Sequence, residues 1–390
     1  MQKNSEKNTH KIGILTFHFA HNCGAVLQAY ALMKTVEKYA PCFIVDYQPE
    51  YHASWDNYRY KYEYPPTALK RIWTNNRNKL KALASMIVHF PAIMKDSTYR
   101  KDKKRTEAFE KFIQKNLHCT SRCRSLSEVE AVTGDFCALI TGSDQVWNPG
   151  IAGENFDNTY FLMVNHQLKR YSYAASAGNG WGEENIDLIV SKLKGFDGVS
   201  VREEDLKNVL ESRGIPSRMD IDPSLLLDQS EYYPLEEAVD TPEHYVFIYS
   251  FQITDELVQS IQTIKERLNC EFISSPFGGK LSEKVGFAIR EMEPLGPAAF
   301  LYLMHHADYV VTSTFHGLAF ATIYQKPFVC LPPEHGISRI DNFLSLFGLQ
   351  SHFWQGENCL RFDADYSHYL SIVGRLRSSA EGYINEICTQ

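Results

Sequence analysis

KIGILTFHFAHNCGAVLQAYALMKTVEKYAPCFIVD, residues 11–46, decides the fold class. Lys11 to Phe17 is a short apolar run suited to a buried strand. His18 to Gly24 makes a tight segment, and Asn22 is placed to cap a helix. The apolar positions Val26, Tyr30, Met33 and Val36 then recur at helical spacing. Phe43 to Asp46 reads as the second strand. A strand, a helix and a strand in this order imply a parallel sheet.

Outward from this unit the pattern resumes after an interruption. Cys137–Ile140 is a strand running into Thr141-Gly142-Ser143-Asp144. Arg170–Ala174, Phe196–Val201 and Arg218–Leu227 read as further strands, the last broken by Asp222-Pro223. A second series starts with the strand Tyr245–Phe251. Thr254 caps a helix through Arg267, with Asp255 and Glu256 in its first turn and Leu257, Ile261, Ile264 and Leu268 on one face. Phe272–Ser275, Tyr309–Thr312 and Phe328–Leu331 are strands, a helix reaches Gln325, and a last helical stretch follows Asp363. The expected class is α/β, with two Rossmann-like domains facing a cleft. The domains are 1–235 and 236–390, and the acidic stretch Gln229–His244 with Pro234 and Pro242 joins them.

The interruption, about 47–115, is a Tyr-rich stretch followed by a basic one. Leu69–Arg105 holds eleven Lys and Arg against two Asp, a local charge of +9 that leaves −16 for the rest of a chain of net charge −7. That segment also carries Leu80, Leu83, Ala84, Ile87, Val88 and Phe90. The combination suits peripheral contact with an anionic membrane or a solvated helical insertion. The overall acidity argues against nucleic acid. The 390 residues fit two domains of ordinary size. No run of about 18 apolar residues occurs, and Met1–Lys11 is polar, so a cytosolic protein is expected. The nine cysteines are scattered without a CxxC, as in a reduced protein.

In open parallel sheets, ligands bind beyond the carboxyl ends of the strands. That rule selects four sets of residues. His18, Asn22, Gly24 and Gln28 surround the first strand–helix turn, which offers free N–H groups to an anion or a sugar unless it is a plain turn. Ser143, Asp144, Gln145 and Trp147 follow the strand at 137–140. There Trp147 can stack on a sugar face and Asp144 can act as general base, or the pair is a helix cap and a core residue. Ser313, Thr314, His316 and Gly317 open a helix that ends before Lys326-Pro327, so His316 can donate to a phosphate or carry a proton. Arg202 and Arg339 are candidate forks for carboxylate or phosphate. His305 and His306 are assigned to a helix rather than to a metal, and no His/Asp/Glu spacing resembles a metal site.

Taken together, KIGILTFHFAHNCGAVLQAYAL (11–32), LITGSDQVWNP (139–149), VSVREEDLKNVL (199–210), DIDPSLLL (220–227), TSTFHGLAFATIYQKPF (312–328) and SRIDNFLSLFGL (338–349) resemble the polysaccharide pyruvyl transferase family. The resemblance implies a glycosyltransferase-B-like fold. It also implies transfer of the enolpyruvyl unit of phosphoenolpyruvate to a sugar of a surface polysaccharide or its precursor, forming a pyruvate ketal. On that basis His316 and Asp144 are the catalytic candidates. Arg202, Ser313, Thr314, His316, Gly317, Lys326 and Arg339 belong to the donor, in the C-terminal half and at Arg202. His18, Asn22, Gly24, Gln28, Ser143, Asp144, Gln145 and Trp147 belong to the acceptor, and if that acceptor is lipid-linked the basic segment brings the cleft to it. Neither metal nor cofactor is required, phosphoenolpyruvate being a co-substrate. Many family members carry Arg two residues before the motif histidine. Here the residue is Thr314, so Arg339 or Arg202 supplies the charge or the donor differs. A glycosyltransferase using a nucleotide sugar is the rival enzyme.

Overall fold

The computed structural model describes residues 10–49, 97–152, 156–164, 167–178, 182–277, 279–333, 337–356 and 360–389. Most of the Tyr-rich and basic insertion lies outside the described residues, and so does the membrane contact expected of it.

The first sheet is parallel. Its strands are β1 (Lys11–Leu15), β2 (Cys42–Ile44), β3 (Phe136–Thr141) and β4 (Lys169–Ser172), in the order β2-β1-β3-β4. Single bridges, Tyr171 to Gly198 and Ala175 to Val201, continue it toward the short parallel pair β5 (Ser200–Val201) and β6 (Arg218–Met219). The second sheet holds β7 (Tyr245–Tyr249), β8 (Glu271–Ser274), β9 (Arg290–Glu291), β10 (Tyr309–Thr312) and β11 (Phe328–Cys330). Their order is β11-β10-β7-β8-β9, with every pairing parallel. This is the expected α/β class, two Rossmann-like domains in a glycosyltransferase-B-like arrangement. The two-residue β9 has no sequence pattern of its own and was not expected.

The helices are α1 (Cys23–Glu37), α2 (Ser97–Asn116), α3 (Leu126–Val132), α4 (Glu183–Leu193), α5 (Glu204–Ser212), α6 (Asp255–Arg267), α7 (Pro297–His306), α8 (Phe315–Ile323), α9 (Ile337–Phe347) and α10 (Ser367–Thr389), with shorter turns between. Thr254 Oγ1 caps α6 by accepting from Leu257 N–H, as its sequence predicts.

Helix α1 is apolar nearly all round, and such helices are buried on every side. It packs against α7, against α10 and against the short 3₁₀ helix Pro223–Leu225. One apolar cluster therefore runs from Ile14 and Leu27 through Leu225 to Phe300 and Phe320, across both domains. Helix α10 returns from the C-terminal half to the first. Its Arg377 donates to the carbonyls of Leu225 and Leu227, and Tyr383 OH donates to Ser172 O. A boundary at residue 235 assigns this helix to the second domain, yet much of its packing is on the first.

Among the described residues no helix is long and apolar enough to cross a membrane. The eight described cysteines are free thiols.

Candidate active site

Two helix starts face each other across the seam. Asn22 caps α1, its Oδ1 accepting from Gly24 N–H and Ala25 N–H at 3.0 and 3.3 Å. Thr314 caps α8, its Oγ1 accepting from Gly317 N–H at 3.0 Å. Gly24 lies directly against His316: a Cβ at position 24 would sit 2.0 Å from His316 Cγ. What Gly24 lets approach its backbone is therefore this imidazole. Gly317 is needed for the same kind of reason, because a Cβ there would lie 2.1 Å from Thr312 Oγ1.

Behind His316 stands a carboxylate that the sequence reading left out of the site. Asp222 follows β6 and caps the 3₁₀ helix, with Pro223 at its first position. Its Oδ1 accepts from Ser224 N–H and Oγ–H at 3.0 and 2.6 Å. Its Oδ2 accepts from Arg202 Nη1 at 2.9 Å and from Ser143 Oγ at 3.3 Å, and lies 3.8 Å from His316 Nε2. The Asp222 side chain is fully buried and that of Arg202 is 6% exposed. Arg202 also donates through Nε to Glu203, which accepts from Ser176 Oγ, and its guanidinium lies 4.9 Å from the centre of the Phe315 ring. The Asp222-Pro223 dipeptide after a strand was the available signal for this hub.

Charge and burial set the protonation states. Burial lowers the pKa of His316 and outweighs the opposing pull of Asp222 and Asp144, while Arg202 and Arg339 lower it further. Burial acts to raise Asp222, but His316, Arg202 and the Ser224 hydrogen bonds bring it below the usual carboxylate range. Burial also acts to lower Arg202, and Glu203, Asp222 and Asp144 outweigh it, so the guanidinium stays charged. The result is a neutral imidazole beside a fixed carboxylate–guanidinium pair. Among the described residues, Arg202 Nη2 and His316 Nε2 are buried with no hydrogen-bond partner. Buried polar nitrogens without a partner are costly. Arg202 lines a groove of about 290 Å³ together with Asp222, Phe315, Arg339, Phe343 and Leu346, and His316 lies next to the Asp222 wall of that groove.

The sequence model described as "Polysaccharide pyruvyl transferase" matches residues 22–335. The chain belongs to the polysaccharide pyruvyl transferase family. The protein is thus a transferase. No curated protein matches the sequence. Solved structures similar to this transferase include UDP-GlcNAc 2-epimerase from Neisseria meningitidis bound to UDP-GlcNAc (10% identity, TM-score 0.47, 97% of this chain and 94% of that one). Another is the UDP-GlcNAc 2-epimerase from Methanocaldococcus jannaschii (13% identity, TM-score 0.46, 94% and 99%). At such scores the likeness says nothing of what this transferase binds.

Not every expected residue joins the site. Trp147 is a core residue, with its ring stacked on Phe161 and Nε1–H donating to Tyr160 O, so it offers no face to a sugar. His18 is buried, its Nε2 3.0 Å from Asp46 Oδ1 and its Nδ1 3.2 Å from Thr16 O. Gln28 is buried too, donating to Thr16 Oγ1 and Ala25 O. These three corrections share one cause, since apolar surroundings and local acceptors turn the polar groups inward. Lys326 is a fourth. It lies past the carboxyl end of α8, the end opposite His316.

The remaining candidates sit in the turns after the strands. Ser313 Oγ shares a hydrogen bond of 2.8 Å with Ser250 Oγ and ties the β10 turn to the β7 turn. Asp144 has a left-handed backbone, φ 84°, at the end of the β3 turn. Its charge acts on both His316 and Arg202. Gln145 Oε1 accepts from Asn148 Nδ2 at 2.6 Å. A second cavity, about 300 Å³, opens by β1 and β2 and is lined by Phe19, His21, Asp46, Gln48, Phe109 and Arg122.

Proposed function

We propose that this transferase moves the enolpyruvyl unit of phosphoenolpyruvate to a sugar of a surface polysaccharide or its precursor, closing a pyruvate ketal. The observation that carries the reading is the pair of partnerless buried nitrogens on either side of Asp222, Arg202 Nη2 on the groove and His316 Nε2 at the start of α8. Phosphoenolpyruvate brings a carboxylate and a phosphate, the groups such donors take. The arginine missing from the motif at Thr314 is replaced in this reading by Arg202 and Arg339, both on the groove. Thr314 itself is occupied as the α8 cap.

The chemistry then runs in balanced steps. One sugar hydroxyl loses its proton and its oxygen bonds to C2 of the donor while C3 gains a proton, so CH₂ becomes CH₃. The C2–O bond to phosphate breaks, and the second hydroxyl bonds to C2 and gives its proton to the departing phosphate. Neutral His316 serves as proton carrier, held in place by Gly24 and Asp222. Asp144 serves the acceptor hydroxyl from the N-terminal side. Arg202 and Arg339 offset the charge of the leaving phosphate.

The test is incubation of the purified protein with carbon-labelled phosphoenolpyruvate and with nucleotide sugars, in the presence of glycan acceptors carrying neighbouring hydroxyls. Label in a ketal with release of phosphate supports the reading. Transfer from a nucleotide sugar alone overturns it.

A further inference from the structure

A second set of polar side chains lies away from the groove, where the connector between the domains meets α7 and α8. Tyr233–Leu235 forms a short 3₁₀ turn and Glu236 follows it. His305 and His306 occupy the last turn of α7, and Tyr324 ends α8. Two helix carboxyl ends, each with a partial negative charge, thus converge on one carboxylate.

The three side chains are held facing one another. His305 Nδ1 is 2.9 and 3.2 Å from the two Glu236 oxygens, and His306 Nε2 is 3.6 Å from Oε2. All three donor atoms lie within 4.8 Å of one another. The His305 ring is stacked on Tyr233 at 4.5 Å and on Tyr324 at 4.9 Å, and His306 packs on Tyr302 at 4.3 Å. Tyr324 OH donates to Glu236 Oε1 at 3.2 Å.

The 3.6 Å separation is too long for a hydrogen bond. Two ligands on one tetrahedral metal, each about 2.05 Å from it, stand about 3.3 Å apart. The His305 and His306 rings lie side by side with centres 4.6 Å apart.

We propose that Glu236, His305 and His306 bind a transition-metal dication of the zinc class. Two imidazoles and one carboxylate suit Zn²⁺ better than Ca²⁺ or Mg²⁺, which prefer oxygen. The Tyr324 hydroxyl orients the ligating carboxylate. The side chains of His305 and His306 are 29% and 46% exposed, which leaves an entry path. The ion would clamp the connector to the ends of α7 and α8. The sequence spacing concealed this set because Glu236 stands 69 residues before His305.

The full-length protein, stripped with chelator, is titrated with ZnCl₂ by calorimetry, with CoCl₂ as an absorbance probe. The expected result is one site per chain, weakened about tenfold or more by Glu236→Gln and by His306→Gln. His316→Ala leaves it unchanged. Zinc raises the melting temperature of the parent protein but not of Glu236→Gln. His306→Gln, at a half-exposed position, keeps the test decisive if the Glu236 variant misfolds. Absence of a site, or a site that survives both substitutions in folded protein, overturns the proposal. The readout is metal binding alone, so it is independent of the reaction in the groove.

Discussion

The β1–α1 turn and the β10–α8 turn are built alike. Each follows a buried strand at the carboxyl edge of a parallel sheet, and each is capped by a polar side chain, Asn22 or Thr314. Yet they contribute opposite things. The second turn supplies a ring, His316. The first supplies the absence of a side chain, Gly24, against which that ring rests. A site residue can act by leaving room, and such a residue has no chemistry of its own to betray it.

Four measurements break or sharpen this contrast. His316→Ala removes the ring and is expected to lower kcat/KM by about 10²- to 10⁴-fold, the usual share of a proton carrier. Its melting temperature should barely move. Full activity in that variant would strip the β10–α8 turn of its assigned role.

Asp222→Ala removes the group common to both sides of the seam. It leaves Arg202 buried without its closest carboxylate, which costs about 3–5 kcal/mol of stability in such pairs. Chemical denaturation reads this directly, and a loss under 1 kcal/mol would mean that the pair is not a structural hub.

Gly24→Ala adds one methyl group where the ring lies, an overpacking of about 1–3 kcal/mol. The same change in a His316→Gly background should cost markedly less, because ring and Cβ are both gone. Equal costs in the two backgrounds would show that Gly24 serves α1 and not His316.

The smallest effect concerns pH. Since His316 binds its proton less readily than an ordinary histidine, the acid limb of kcat/KM should lie below the usual histidine range. Asp222 opposes that lowering, so Asp222→Asn should move the limb further toward acid. The stability linkage has the same sign. The lowered His316 and the lowered Asp222 both bind fewer protons folded than unfolded, so stability falls as pH drops, through the histidine range first and the carboxylate range after it.

Much of this was legible from residue order. Apolar runs bounded by Asn22 or Thr254 gave strand and helix edges, because caps and buried strands are decided locally. His316, Arg202 and Ser143 were found because the carboxyl-edge rule needs only the order of elements. Facing and distance were not legible. Trp147 stands in a loop of polar neighbours, yet its indole turns toward Phe161 and Tyr160. Lys326 stands ten positions after His316, which along α8 is the length of the helix and the wrong end of it. Asp222 gathers Arg202, Ser143 and His316 from three other loops, and no spacing rule brings those together.

Helix α10 has a mechanical consequence. The polypeptide passes between the lobes twice, once through the connector at 229–244 and once when α10 is anchored by Arg377 on the carbonyls of Leu225 and Leu227. A body joined at one point can swivel in any sense. One joined at two can turn only about the line through both, as a door turns on a pair of hinges. A turn of one lobe on the other must therefore keep to that line or break the Arg377 bonds to Leu225 and Leu227.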